Sequence, residues 1–386
     1  MNYYSLVPII KLEPDALYYM GFGERSNGKT FSVKSLALFG IHEKGVDWNG
    51  YLDDGSQLAI IRRYKEDFKG KNGRQFYDDI IHNKKYGNML EKATKGEWND
   101  ILFWSQCWYL IHRGEDGKID KQDLRPLAYS FSIADHEHVK STAYPDIKYI
   151  LFDEFITRGI YLADEVTNFF DVVSTIVRDE DKVRIFMMGN TVNKYNPYFS
   201  EMGLTNASTM KQGTIDVYKY YNEKLHKDLK VAVEFTGYKN QKERPAKKSD
   251  IYFGFNNPRL KMITDGVWEI SQYPHCPCRY EQKEVLLRYY ISFSNNLLEA
   301  EIVNHKDMLF TFIHAKTSPI REDNENIVYS QEYNASPHYR RLITRITAPV
   351  DKFIISFFSK SKVFYSTNEV GDVVTNYIKW CKTQSV

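Results

Sequence analysis

Apolar runs in the first half of the chain are short and nearly continuous, and stretches with helical spacing separate them. Runs at 17–20, 57–61, 148–153 and 183–190 are typical of buried strands. Apolar residues recur at helical spacing over 164–177, and residues 31–41 predict another helix. Strands that alternate with helices indicate an α/β fold with a parallel sheet, whose ligands bind at the carboxyl ends of the strands.

The alternation is interrupted between the second and third of these runs. Residues 66–97 are polar, rich in lysine and punctuated by glycine, and they predict a lid-like insertion. Apolar runs at 101–111 and 127–133 flank residues 114–117, which predicts a hairpin-like pair of strands around an Asp-Gly turn. The first domain, with this insertion, is predicted to cover residues 1–215.

The second half of the chain has a different pattern. Residues 238–250 are basic and contain Pro245, so we predict a linker over 216–250. Beyond it, strand-like runs occupy 286–294, 297–303 and 308–315, with a turn at Asn295-Asn296 between the first two. Residues 369–380 predict a closing helix. Residues 251–386 are therefore expected to form a second, smaller α/β domain.

Composition and charge narrow the classes of function. A chain of 386 residues with 42% hydrophobic and 26% charged residues is long enough for two globular domains. The formal net charge is only +2, so nucleic-acid contacts would have to come from local basic patches. No run of 18 apolar residues occurs, which predicts that the chain does not cross a membrane.

Four cysteines are present, and they form no regular framework. They are Cys107, Cys276, Cys278 and Cys381. Without a signal peptide at the start of the chain, we expect reduced thiols in a cytoplasm. The sequence His-Cys-Pro-Cys at 275–278 lacks a second pair of ligands, so it does not predict a structural zinc site.

Residues 23–30 carry the clearest chemical signal. They fit the pattern G-x-x-x-x-G-K-[ST] and lie between a predicted strand and a predicted helix, where backbone N–H groups bind phosphate. The nucleotide-binding candidates are Gly23, Glu24, Arg25, Ser26, Asn27, Gly28, Lys29 and Thr30. Lys29 would reach the β- and γ-phosphates, and the Thr30 hydroxyl would be a ligand of Mg²⁺.

Acidic and amide side chains follow two later strands. Asp153 and Glu154 end the third predicted strand, where an aspartate can hold the Mg²⁺ shell and a neighbouring glutamate can act as general base on water. This Asp-Glu pair favours ATP hydrolysis over GTP hydrolysis. Asn190 ends the next strand and can contact the γ-phosphate or the attacking water.

Hydrolysis also needs positive charge on the transition state, which an arginine of a neighbouring subunit often supplies. The candidates are Arg25, Arg158, Arg178 and Arg184. Arg178 follows an apolar helix and precedes a charged turn, so it can project towards another subunit. Residue chemistry alone does not choose among the four.

Beyond single motifs, the chain resembles the DNA-packaging (encapsidation) ATPases of small tailed bacteriophages of the phi-29 type. The similarity is strong over 18–200 and looser beyond. It rests on residues 60–65, on 140–156 with an Ala-Tyr-Pro lead-in, on 184–199, and more weakly on the stretch from His338 onwards. The resemblance implies a P-loop (ASCE-type) ATPase domain, followed by an RNase H-like domain without an evident nuclease site.

The same resemblance implies roles for individual residues and names the partners. Lys65 resembles the lid lysine, Asn190 the sensor asparagine, and Arg178 and Lys140 two residues that act across a subunit interface. ATP and Mg²⁺ are the implied cofactors. A homomeric ring, expected to be a pentamer, would dock on the portal of an empty procapsid and thread double-stranded viral DNA inwards, in the host cytoplasm. Whether a structural RNA takes part, as in some relatives, stays open.

Three alternatives remain open at this point. A large terminase would also cut DNA, a ring translocase or helicase would move DNA without packaging it, and a binding scaffold would have an inert nucleotide site. Asp265, Glu269, Glu299 and Glu301 are the acids that a nuclease site would have to use. The candidate contacts with DNA phosphates are Lys239, Lys242, Lys247, Lys248, Lys352, Lys360 and Lys362.

Overall fold

The computed structural model describes residues 4–139, 143–178, 182–237, 251, 266–321 and 325–384. The chain divides into two units, one made of Met1–Arg158 and Glu165–Trp268, the other of Gly159–Asp164 and Glu269–Val386. Each unit has its own sheet.

The strands of the first unit are β1 (Tyr18–Gly23), β2 (Ile41–Glu43), β3 (Val46–Trp48), β4 (Gln57–Arg62), β5 (Asp100–Trp104), β6 (Cys107–Arg113), β7 (Ile119–Gln122), β8 (Ala128–Ser132), β9 (Ile147–Asp153), β10 (Arg184–Asn190), β11 (Thr214–Asn222) and β12 (Lys227–Thr236). Its helices are α1 (Val7–Leu12), α2 (Lys29–Phe39), α3 (Tyr51–Asp54), α4 (Lys71–Arg74), α5 (Asp78–Ile81), α6 (Met89–Ala93), α7 (Glu165–Val177) and α8 (Pro197–Glu201). Short 3₁₀ turns lie at Lys65–Phe68, Ile133–Val139 and Ala207–Thr209.

The large sheet has the strand order β11-β12-β1-β10-β9-β4-β8-β6-β5, and β7 pairs with β6. Its centre, from β12 to β8, is parallel, which confirms the predicted α/β fold with a parallel-sheet core. Every residue of β1 is buried, as expected for a strand covered on both faces. Because β10 lies between β1 and β9, the carboxyl ends of all three strands meet at one edge of the sheet.

The predicted linker over 216–250 is wrong in its first part. Residues 214–236 form the antiparallel pair β11 and β12, and β12 runs parallel to β1 with Val231, Ala232 and Val233 buried. Most charged residues of these strands lie at the start of β12 or on the edge strand β11, where solvent reaches them, whereas Glu234 of β12 is half-buried and accepts from the Tyr4 hydroxyl. Residues 238–250, with the four candidate lysines between 239 and 248, lie outside the described residues.

The hairpin prediction is partly wrong as well. The run 101–111 is not one strand, because Ser105 and Gln106 turn it back with φ of +49° and +64°, so that β5 pairs with β6. The Asp-Gly turn at 116–117 joins β6 to β7, whereas β8 runs parallel to β4 in the main sheet.

The second unit contains β13 (Val285–Phe293), β14 (Asn296–His305), β15 (Met308–Ala315), β16 (Ile327–Ser330), β17 (Tyr339–Arg340) and β18 (Val363–Tyr365), with helices α9 (Pro349–Ser359) and α10 (Asn368–Thr383) and a 3₁₀ turn at Gln282–Glu284. The strand order is β17-β16-β13-β14-β15-β18. Strands β13, β14 and β15 are antiparallel, while β16 is parallel to β13 and β18 to β15. The first hairpin turns at Ser294 and Asn295, one residue before the predicted position.

Candidate nucleotide-binding site

The loop after β1 closes around a buried lysine. Gly28 has φ of +93° and caps α2, which begins directly with Lys29. The Lys29 side chain is buried, and its Nζ lies 2.7 Å from the carbonyl oxygen of Glu24 and 3.2 Å from Asn27 Oδ1. The loop therefore places an ammonium group at the positive N-terminal end of a helix, which favours an anionic ligand.

A close contact with β12 requires the first glycine of the loop. Gly23 has φ of +155°, and a Cβ added there would lie 2.3 Å from Thr236 Oγ1 and 2.4 Å from the Thr236 carbonyl oxygen. Asn27 Nδ2 donates to the same Thr236 Oγ1 at 3.1 Å. Strand β12, which sequence analysis assigned to a linker, thus supports the phosphate loop from behind.

We expect Gly23→Ala to weaken ADP binding by about tenfold or more, because overpacking costs about 1–3 kcal/mol and 1.4 kcal/mol is tenfold in affinity. Titration calorimetry with ADP measures the change. Gly117→Ala is the matched control, since Gly117 also has positive φ (+75°) but a Cβ there would contact nothing within 4 Å. Equal ADP affinity in the Gly23→Ala variant would show that Thr236 does not constrain the loop.

The hydroxyl and the carboxylate expected at the metal position lie side by side. Thr30 Oγ1 donates to Asp153 Oδ1 at 2.7 Å, although 123 residues separate the two in sequence. Arg62, which ends β4, donates from Nη2 to Asp153 Oδ2 at 2.5 Å. Hydroxyl and carboxylate oxygens are ligands that Mg²⁺ prefers, so the pair suits that ion. Sequence analysis missed Arg62, because its strand-end position carries no motif.

A cavity of about 660 Å³ brings most of the predicted residues together. It is lined by Arg25, Ser26, Asn27, Gly28, Lys29, Thr30, Asp153, Glu154 and Asn190, among others. Asn190 Oδ1 lies 3.5 Å from Lys29 Nζ, and Glu154 is exposed. Glu24 is buried and contributes its carbonyl oxygen to the loop rather than a side chain to this lining. The volume is in the range of small-molecule sites.

The lid-like insertion reaches this cavity through residues other than the predicted one. Lys71, Asn72 and Gln75, in or next to α4, line it. Lys65 instead lines a second cavity of about 560 Å³, together with Cys107 and Tyr144, so the structure does not place Lys65 beside the phosphate loop. A lysine-rich segment offers several equivalent candidates, and only packing selects the one that faces the loop.

A buried lysine on α2 anchors the insertion. Lys34 Nζ donates to Asp79 Oδ1 at 2.6 Å and to the Phe76 carbonyl oxygen, and it lies 4.6 Å from the centroid of the Phe76 ring. Burial lowers the pKa of Lys34, and the carboxylate of Asp79 opposes that effect. These contacts fix the insertion against the helix that follows the phosphate loop.

The chain that forms this cavity is similar to known proteins. The family described as Podovirus DNA encapsidation protein (Gp16) matches residues 10–220, which is more than half of the chain. The chain belongs to this family. The membership that the sequence resemblance predicted is therefore confirmed, and the matched residues contain the whole cavity lining described above.

The individual proteins that match this chain have low sequence identity to it. The DNA packaging protein of Bacillus phage phi29 is 23% identical over 191 residues, 49% of this chain and 47% of its own length. That of Bacillus phage B103 is 26% identical over 196 residues, half of each chain. This chain thus spans about half the length of the curated relatives it matches. The solved structure described as "The Phi-28 gp11 DNA packaging Motor" shares the fold, with a TM-score of 0.51 at 16% identity over 100% of this chain and 99% of that one.

Arg178, one of the two residues expected to act across a subunit interface, does not line this cavity. Arg178 is exposed at the end of α7, which leads back to the amino end of β10, whereas Asp153 lies at the carboxyl end of β9. Arg178 is therefore at the opposite edge of the sheet from the phosphate loop of its own chain. Lys140 lies outside the described residues.

The acids of the second unit are balanced by cations. Oxygen atoms of Glu299 and Glu301 and a ring nitrogen of His314 lie within 4.8 Å of one another. Arg288 Nε, however, is 3.0 Å from Glu301 Oε1 and 3.4 Å from Glu299 Oε1, and Lys316 Nζ is 3.3 Å from Glu299 Oε2. The clustered carboxylates of a two-metal nuclease would instead be satisfied by the metal ions. Asp265 lies outside the described residues.

Hydrogen bonds keep one of these acids ionised. Burial by itself raises the pKa of Glu301, but hydrogen bonds from Tyr280 and Arg288 outweigh burial and hold the pKa below its usual value. Within the described parts of the chain, no helix combines the length and the apolar character needed to cross a bilayer.

Proposed function

We propose that this chain is an ATP-driven motor that moves double-stranded viral DNA into a preformed procapsid. The observation that carries the proposal is the single cavity where Lys29, Thr30, Asp153, Glu154 and Asn190 meet within a member of an encapsidation family. The curated relatives are described as DNA packaging proteins.

The proposed cofactors are ATP and Mg²⁺. When bound, the metal ion would neutralise charge that develops on the transferred phosphoryl group. Thr30 and Asp153 would hold it, because their adjacent oxygen atoms suit a hard cation. Lys29 would bind the β- and γ-phosphates, and the backbone N–H groups of the loop would orient them for attack.

Two residues at strand ends beside the phosphate loop, Glu154 and Asn190, would take the proton and sense the γ-phosphate. Glu154 would accept a proton from the attacking water, since its exposed carboxyl group lies on the same cavity as Lys29. Asn190 would hold the γ-phosphate or the water, because its amide oxygen already lies 3.5 Å from Lys29 Nζ. Arg178 would serve the cavity of a neighbouring copy.

We also propose a more specific fold for each of the two units. A strand between β1 and β9 that itself ends in Asn190 supports a P-loop ATPase of the ASCE type in the first unit. The antiparallel β13, β14 and β15, flanked by parallel strands, support an RNase H-like second unit. The paired acids of that unit favour a structural role over a nuclease, and so disfavour the terminase alternative.

The proposed partners are double-stranded DNA, the portal of the procapsid and further copies of the chain in a ring, with a pentamer expected. The chain would act in the host cytoplasm while attached to the procapsid, with or without a structural RNA. Lys352, Lys360 and Lys362 are exposed in or next to α9 and remain candidates for contacts with DNA phosphates.

A combined assay tests this function. We expect the purified chain to hydrolyse ATP faster when linear double-stranded DNA is added, and to leave supercoiled plasmid intact in Mg²⁺ or Mn²⁺. No ATP turnover with or without DNA would contradict the motor. Metal-dependent cleavage of the plasmid would instead support a terminase.

A further inference from the structure

Glu154 has a backbone conformation that the surrounding structure must hold. Its φ is +61°, a left-handed value that non-glycine residues adopt infrequently. The residue directly follows β9, where the chain leaves the sheet, and the next amide, the N–H of Phe155, donates to the Met188 carbonyl oxygen at 3.2 Å. The direction of the Glu154 side chain is therefore decided by what restrains its peptide groups.

One guanidinium group binds the two consecutive carbonyl oxygens that follow this bend. Arg63 donates from Nη1 to the carbonyl oxygen of Glu154 and from Nη2 to that of Phe155. The Arg63 side chain is only 9% exposed. Its neighbour Arg62 binds the Asp153 carboxylate instead, so the two consecutive arginines at the end of β4 contact the two acids in different ways.

A buried carboxylate and a tyrosine hold Arg63 in turn. Arg63 Nε donates to Glu165 Oε2 at 3.0 Å, and Arg63 Nη2 lies 2.9 Å from Glu165 Oε1. The Tyr198 hydroxyl donates to Glu165 Oε1 at 2.9 Å. Glu165 is 2% exposed and begins α7, while Tyr198 is fully buried in α8. The main chain of Arg63 is also fixed, because its carbonyl oxygen accepts from the Ala134 N–H and the Ser132 hydroxyl.

We propose that Arg63, held by Glu165 and Tyr198, is a positioning residue that fixes the direction of the Glu154 carboxylate towards the water that attacks the γ-phosphate. This inference rests on the proposed ATPase function. Arg63 acts through the backbone and does not line the cavity, so it is not a catalytic residue. A planar guanidinium can bind two carbonyl oxygens and a carboxylate at once, whereas an ammonium group offers three donors without that fork.

Arg63→Lys tests the proposal, since it keeps the charge opposite Glu165 and removes the fork. We expect kcat for ATP to fall by about 10²-fold, because a misplacement of about 1 Å at a reacting group costs that much. The dissociation constant for ADP should stay within about twofold, since Arg63 does not line the cavity and the contacts described above join it to Glu154, Phe155 and Glu165. A purely structural role would lower the melting temperature and leave kcat of the folded protein unchanged.

Tyr198→Phe provides a second test that keeps every charge, in case Arg63→Lys does not fold. Removal of one hydroxyl from the Glu165 contact should lower kcat several-fold without a change in ADP affinity. Arg113→Lys is the matched control, because Arg113 also pairs with a carboxylate, Asp100 Oδ2 at 2.6 Å, away from the cavity.

The outcomes separate this inference from the proposed function. Absence of ATP turnover in the wild-type chain would remove the proposed function itself. Wild-type turnover with unchanged kcat in folded Arg63→Lys, or in Tyr198→Phe when Arg63→Lys does not fold, would overturn only the positioning role. Parallel losses of kcat and ADP affinity would also overturn it, because the change would then reach the loop.

Discussion

We expect Glu154→Gln to lower steady-state ATP turnover by about 10²–10⁴-fold while the chain still binds ATP. Glutamine has nearly the same shape as glutamate, but it cannot accept a proton from water. The contacts that position Lys29, Thr30 and Asp153 are made with the Glu24 carbonyl oxygen and with one another's side chains, so the phosphate and metal positions should be retained. Turnover is measured by phosphate release with DNA present, and binding by a fluorescent ATP analogue.

Glu115→Gln is the matched control, because Glu115 is exposed in the turn between β6 and β7, away from the cavity. Its turnover should equal that of the wild-type chain. An unchanged rate in Glu154→Gln would remove Glu154 as general base. Loss of ATP binding together with turnover would contradict the expected result, because it would show that the substitution disturbs the phosphate loop.

We expect Arg178→Ala to abolish most ATP turnover, by about 10³–10⁵-fold if Arg178 supplies transition-state charge as arginine fingers do. The structure supports action on a neighbouring chain, because Arg178 is exposed at the edge of the sheet opposite Asp153. Binding of ATP to isolated chains should be unaffected. Arg125→Ala, another exposed arginine, is the control and should retain full turnover.

Mixing the two inactive variants tests the direction of this effect. A ring that contains both Arg178→Ala and Glu154→Gln chains has some interfaces with an intact Glu154 from one chain and an intact Arg178 from the next. Turnover should therefore return in part as the variants are mixed, with a maximum at intermediate ratios. If ATP turnover stays absent at every mixing ratio, Arg178 acts within its own chain or only supports the fold.

Local structure was predictable wherever residues close in sequence decide it. Residues 23–30 carry the loop geometry in their own glycines, because Gly28 at φ of +93° can cap a helix that begins at Lys29, two residues before the predicted start. The strands at 57–62, 147–153 and 184–190 and the first hairpin of the second unit were found within two residues, since apolar runs and Asn-containing turns mark them. Membership of the encapsidation family was predictable because it rests on such local motifs, and the family match confirms it.

Long-range pairing was not predictable in the same way. Strands β11 and β12 looked like part of a linker, yet β12 lies beside β1 and restricts Gly23 through Thr236. The lysine expected in the lid, Lys65, lines another cavity, and Lys71 lines the cavity of the phosphate loop instead. In both cases, charge and composition are compatible with several positions, and burial against distant residues selects one.

The sequence by itself determined that a phosphate loop, an Asp-Glu strand end and a polar strand end exist in one α/β chain. The tertiary structure decided that β10 lies between β1 and β9, which brings Asn190 to Lys29 and Asp153 to Thr30. It also decided that Arg62 binds Asp153 while Arg63 binds the backbone of Glu154. Residue periodicity shows which face of a strand is buried, but the order of strands depends on contacts between distant residues, which one sequence does not record.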